Sequence, residues 1–103
     1  MELKVTPWDQ EELPTEADLA EQLGEQELRA YHWSSPPEGM FAGHTHGYHK
    51  VLFVLEGSIE FEFPTRHQSI QLNAGDRLDL PAGLRHSAEV GLEGVQCMEA
   101  HIY

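Results

Sequence analysis

The sequence predicts a small, closed, all-β barrel with a short α-helix near its N-terminus. Three observations point there. Short apolar or alternating runs follow one another at even spacing after Leu28, and Gly or Pro stands at nearly every corner between them. Within the run Ile59 to Phe63, Ile59, Phe61 and Phe63 share one face of a strand, while Glu60 and Glu62 share the other. The chain has 103 residues, enough for one core and not for two.

The first stretch, residues 1–27, reads as an acidic extension. It holds nine of the eighteen acidic residues and only Lys4 against them, which suits a solvated face. Inside it, Thr15-Glu16-Ala17-Asp18 is a helix start, with Thr15 capping free amides and Asp18 returning the bond. Leu19 and Leu23 lie four apart on one face and Gly24 is a good stop, so a helix is expected over Thr15 to Leu23. A helix this short must rest its Leu face on the barrel exterior or on a second subunit.

Residues 28–103 are expected to form the barrel. Tyr31 and Trp33 alternate with Ala30, His32 and Ser34; Pro36 to Gly39 is a loop; Met40 to His46 is extended. Val51 to Leu55 and Ile59 to Phe63 are read as two strands joined at Glu56-Gly57-Ser58, where Gly57 takes a positive φ. Strands over Ser69 to Leu72, Arg77 to Leu80, His86 to Val90 and Val95 to Tyr103 follow, with turns at Asn73 to Asp76, Pro81 to Gly83 and Gly91 to Gly94.

Composition narrows the function. A net charge of −12 speaks against nucleic acid and anionic membrane surfaces, which demand clustered positive charge. The longest apolar run, Val51 to Leu55, is far too short to cross a bilayer. No secretory signal is visible, and the lone Cys97, read as a core hydrophobe, has no internal disulfide partner; a cytoplasmic location is expected.

Three of the seven histidines fall within His44-Thr45-His46-Gly47-Tyr48-His49. On a strand His44 and His46 point to the same side, close enough to hold one ion, and imidazole suits Zn, Fe, Ni and Mn. A third, His86, follows the tight Pro81-Ala82-Gly83 turn.

These segments resemble the cupin superfamily, whose motifs read G-x5-H-x-H-x3,4-E-x6-G and G-x5-P-x-G-x2-H-x3-N. The second is present from Gly75 through Pro81 and Gly83 to His86, with Val90 in place of its terminal Asn. The first is present as Gly39, one residue closer than usual, then His44 and His46, then Gly57. The resemblance, over about Gly39 to Val90, implies a double-stranded β-helix (jelly-roll) barrel and divalent metal ligation by His44, His46 and His86. It fails at the fourth ligand, where Lys50 occupies the place of the family's glutamate.

An ammonium about 4 Å from a unit charge interacts with roughly 4 kcal/mol at an effective dielectric of 20, and a dication doubles that. Lys50 must therefore be neutral, swing away, meet an intervening anion, or exclude the metal. A carboxylate or enolate substrate that chelates the ion while pairing with Lys50 is chemically attractive, and a neutral Lys50 could serve as a proton-transfer base. His49 faces outward in strict alternation, but a bulge at Gly47-Tyr48 would make it a fourth nitrogen ligand. His32, His67 and His101 read as surface or satisfied strand residues, although Glu99 and His101 would face the cavity in one register. Arg77 with Asp79, and Arg85, read as surface pairs. Tyr31, Trp33, Phe41 and Phe53 read as core or mouth aromatics.

Three readings compete: a metal-dependent cupin that binds or transforms a small organic, anionic molecule, by dioxygenation, isomerisation or decarboxylation; a non-catalytic small-molecule-binding or sensor cupin, with or without a metal because Lys50 replaces the glutamate; and a vestigial site in which Lys50 occupies the ion's space. The sequence does not choose between enzyme and binder. A homodimer is expected, through the N-terminal helix and the edge of the first barrel strand.

Overall fold

A computed structural model describes residues 1–103. Seven strands and one helix follow in the order β1 (Lys4–Thr6), α1 (Glu16–Glu25), β2 (Tyr31–Ser35), β3 (Met40–His44), β4 (His49–Phe63), β5 (Gln68–Asn73), β6 (Arg77–Leu80) and β7 (His86–Ile102), with a 3-10 turn at Pro64–Arg66. All strand pairs are antiparallel. Their order is β1-β6-β4-β7-β2, with β3 on β7 and β5 on β4. The expected all-β architecture with one short helix is present. No helix is long and apolar enough to cross a membrane.

Two expected hairpins are instead continuous strands. β4 and β7 pair along most of their length, from His49 opposite Ile102 to Glu62 opposite Ser87. The register shifts between Val54 and Glu56 and again between Gly57 and Ile59. Gly57 (φ +82°) and Gly94 (φ +80°) sit at this irregularity, where a Cβ on Gly57 would collide with the Gly94 carbonyl. The two glycines bend the long strands as bulges, without reversing them. Each long strand therefore continues past its bend to pair with further strands, β4 with β6 and then β5, β7 with β3 and then β2.

The core lies between the sheet faces. Ile59, Phe61 and Phe63 are buried there with Leu52, Leu72, Leu78 and Cys97, as the alternation of β4 requires. Burial pushes the Cys97 thiol up to about 12, which leaves it a protonated hydrophobe.

A second cluster explains the helix. Leu19 and Leu23 are fully buried against Val51, Phe53, Met98 and Ala100, so α1 spends its apolar face on the barrel exterior. Its start is the capping box expected: Asp18 N–H donates to Thr15 Oγ1 and Thr15 N–H to Asp18 Oδ2. Its end is not at Gly24. Glu27 takes the left-handed conformation (φ +60°), and Leu28 N–H donates to the Leu23 carbonyl and Glu27 N–H to that of Gly24, a Schellman close. The extension also supplies β1, which the sequence did not signal: Val5 pairs opposite Leu78 on the edge of β6.

Candidate metal centre

Three histidines from two distant stretches of chain converge. β3 ends at His44, directly opposite His86 at the start of β7. The Pro81-Ala82-Gly83 turn docks on the first histidine segment through Gly83 N–H to the His46 carbonyl (2.9 Å) and Ala82 N–H to His49 Nδ1 (2.9 Å). These contacts hold the two motifs together. Ring centroids of His44 lie 4.6 Å from His46 and 4.4 Å from His86, and His46 and His86 are 5.2 Å apart.

The ring orientations suit ligation. His44 Nδ1–H donates to the Ala42 carbonyl (2.6 Å) and His86 Nδ1–H to that of Leu84 (3.0 Å), which leaves each Nε2 with a free lone pair. His46 Nε2 is buried with no hydrogen-bond partner. Burial, followed by the nearby Lys50 charge, pushes His46 down to about 4, and burial likewise lowers His86. At neutral pH both rings are therefore neutral, the form that binds metal.

One nitrogen from each of the three histidines lies within 4.8 Å of the others. Nitrogens about 2.1 Å from a shared ion are no more than about 4.2 Å apart, so small ring rotations complete the set. An orphaned nitrogen between two rings already fixed in the correct tautomer fits a divalent ion, and His44, His46 and His86 can hold one. His49 is outside this group. The chain bends at Gly47-Tyr48 between β3 and β4, and His49 spends its Nδ1 on the Ala82 amide.

Lys50 does face the interior, with a side chain only 12% exposed, and its Nζ lies 3.4 Å from Oε2 of Glu99. The charge that meets Lys50 is a carboxylate supplied by the neighbouring strand β7. Glu99 is 3% exposed. Its Oε1 accepts from Trp33 Nε1 (3.0 Å), and its Oε2 accepts from His101 Nε2 (2.6 Å) and from the Tyr31 hydroxyl. Burial raises the Glu99 carboxyl, but Lys50 and these three donors outweigh it and hold it below the usual carboxylate range. The signal for Glu99 was its alternation with His101 on the last strand; the pairing of β2 on β7, with Tyr31 opposite Glu99, lay beyond local pattern. His101, provisionally a surface residue, belongs to this network, and its ring stacks on Tyr48 at 4.0 Å. Arg77 and Asp79 do pair (2.8 Å), partly buried, with the Arg77 guanidinium over the Phe53 ring.

A cavity of about 50 Å³ joins these groups. It is lined by His44, His86, Lys50 and Glu99 and by the apolar walls of Trp33, Phe41, Ile59, Phe61 and Ala88.

No family model matches the chain, and no curated protein does. Solved structures do. A cupin-2 domain containing protein from Shewanella frigidimarina is 27% identical over 74% of this chain and 71% of that one, with a TM-score of 0.62. The fold is that of a small cupin. A DUF861 family protein from Thermotoga maritima matches over nearly the whole length, 99% of this chain and 100% of that one, at 20% identity and a TM-score of 0.63. The DMSP lyase DddQ from Ruegeria pomeroyi is 24% identical with a TM-score of 0.66; the match covers 74% of this chain but only 38% of that one.

Proposed function

We propose that this protein is a metal-binding cupin that takes a small organic anion into the cavity lined by His44, His86 and Lys50. The observation that carries the reading is the buried, partnerless Nε2 of His46 beside two imidazoles whose Nδ1 atoms are already committed. A buried polar atom without a partner is costly, and a shared ion relieves that cost. A divalent ion held there would act as a Lewis acid toward a bound oxygen. The chain's own residues do the rest. Lys50 supplies positive charge at the cavity wall, Glu99 balances it, and Trp33, Phe41 and Phe61 restrict water. The fold neighbour named a DMSP lyase supports a small-molecule role on this architecture, without specifying the reaction.

The Lys50–Glu99 pair favours a second reading, in which the cavity is a metal-free binding module. A charge-neutral pair already occupies the region of the usual glutamate ligand. Elemental analysis of protein purified without a polyhistidine tag separates the two. The first predicts about one metal ion per chain, lost in His86→Ala; the second predicts none in either protein. We also propose a homodimer paired through the β2 edge, where Tyr31 is exposed and Met40 and Phe41 lie on neighbouring β3. Light scattering giving only the 11.7 kDa species would refute this.

A further inference from the structure

The polar groups of the cavity are almost all spoken for. Glu99 accepts from Trp33 at Oε1 and from Tyr31 and His101 at Oε2, where it also pairs with Lys50. On the reading above, the Nε2 lone pairs of His44 and His86 belong to the ion. Lys50 differs. An ammonium has three N–H donors, and Glu99 is its one charged partner, so donors remain for the cavity. It is also the only Lys or Arg on the wall. The remaining surface, from Trp33, Phe41, Ile59, Phe61 and Ala88, is apolar.

Charge adds a second constraint. Lys50 and Glu99 sum to zero, so an ion on the histidines leaves an uncompensated double positive charge in a buried space. One anionic group reduces it, whereas a second would have to lie against the apolar remainder of the wall. Size adds a third. A space of about 50 Å³ admits only a few heavy atoms.

We propose that Lys50 is the anion-binding residue of this cavity, and that its ligand is a small aliphatic monocarboxylate, or the buried head of a longer one, carrying no hydrogen-bond donor. The carboxylate accepts from the Lys50 ammonium and faces the histidines, and the alkyl portion packs on Phe61, Ile59 and Ala88. Glu99 is a positioning residue: tied by Tyr31, Trp33 and His101, it aims Lys50 at the cavity. Hydroxy and amino acids are disfavoured because their extra polar group would be buried against the apolar walls of Trp33, Phe41, Ile59, Phe61 and Ala88. Dicarboxylates are disfavoured because their second carboxylate would be desolvated against the same walls. The inference rests on the metal-binding reading, and the two fail separately.

The test is calorimetric titration of zinc-loaded protein with propanoate, propanamide, lactate and malonate, after zinc uptake has been measured. Propanoate is expected to bind at least tenfold more tightly than the other three, and at least tenfold more weakly to Lys50→Met than to wild type, with Lys50→Arg retaining the preference for the anion. The ligand panel on wild type stands even if Lys50→Met does not fold. Protein that takes up no zinc overturns the reading beneath. Protein that takes up zinc but binds propanamide or lactate as well as propanoate, or loses nothing in a folded Lys50→Met, overturns this inference alone.

Discussion

The Lys50 ammonium lies 3.4 Å from Oε2 of Glu99, and the two charges neutralise each other inside the barrel across adjacent strands β4 and β7. A carboxylate is thus present near the place where the cupin pattern has one, but it comes from the opposite strand and is spent on a lysine.

Removing one partner of a buried pair costs about 3–5 kcal/mol, and the residual exposure of Lys50 puts this pair at the low end. Glu99→Gln is expected to lose about 3 kcal/mol in urea unfolding. Lys50→Met with Glu99→Gln should recover much of that loss, because no buried charge is then unpaired. A double variant no more stable than Glu99→Gln would show that the two side chains are not coupled.

Lys50→Glu restores the family's four-ligand pattern but places a second carboxylate beside Glu99. Like charges at such range oppose each other in a buried site. The metal-stripped variant should melt below wild type, and added zinc should raise its Tm by more than it raises that of wild type. An equal zinc shift in both proteins would mean that residue 50 does not reach the ion.

His46 is held at about 4, well below the ordinary histidine value of 6.5, by burial and by Lys50. A histidine whose pKa is lower folded than unfolded binds fewer protons in the native state, so stability is present above pH 6.5 and drains away as pH falls toward 4. Melting in the presence of a chelator should show Tm declining through that window, and His46→Gln should flatten the decline. An unchanged slope in His46→Gln would remove His46 from the explanation.

Glycines at the bends and in the helix should respond oppositely to alanine. Gly57→Ala puts a Cβ into the Gly94 carbonyl at a positive φ and is expected to cost at least about 2 kcal/mol. Gly24 lies within α1 with open space where a Cβ would sit, so Gly24→Ala should stabilise by about 0.5–1 kcal/mol. Chemical denaturation of the two variants checks both signs.

What could be read from the sequence was local or carried by motif spacing. The Thr15–Asp18 capping box spans four residues and formed as written. The positions of His44, His46 and His86 followed from two short patterns. Glycine positions proved ambiguous, because a positive-φ glycine serves a hairpin turn or a bulge equally well. Only the long-range pairing of β4 with β7 distinguishes the two at Gly57 and Gly94. The end of α1 shifted because Glu27 accepted the left-handed conformation that Gly24 appeared to offer. The partner of Lys50 was hidden for the same reason: Glu99 is 49 residues away, and nothing near either residue announces the other.

Zinc titration of metal-stripped wild type against His46→Ala is the most direct test of the three-histidine site. We expect one binding event per chain in the wild type and its loss in a folded His46→Ala, since the orphaned Nε2 is then gone. Equal zinc binding by the two proteins, or none by the wild type, would contradict it.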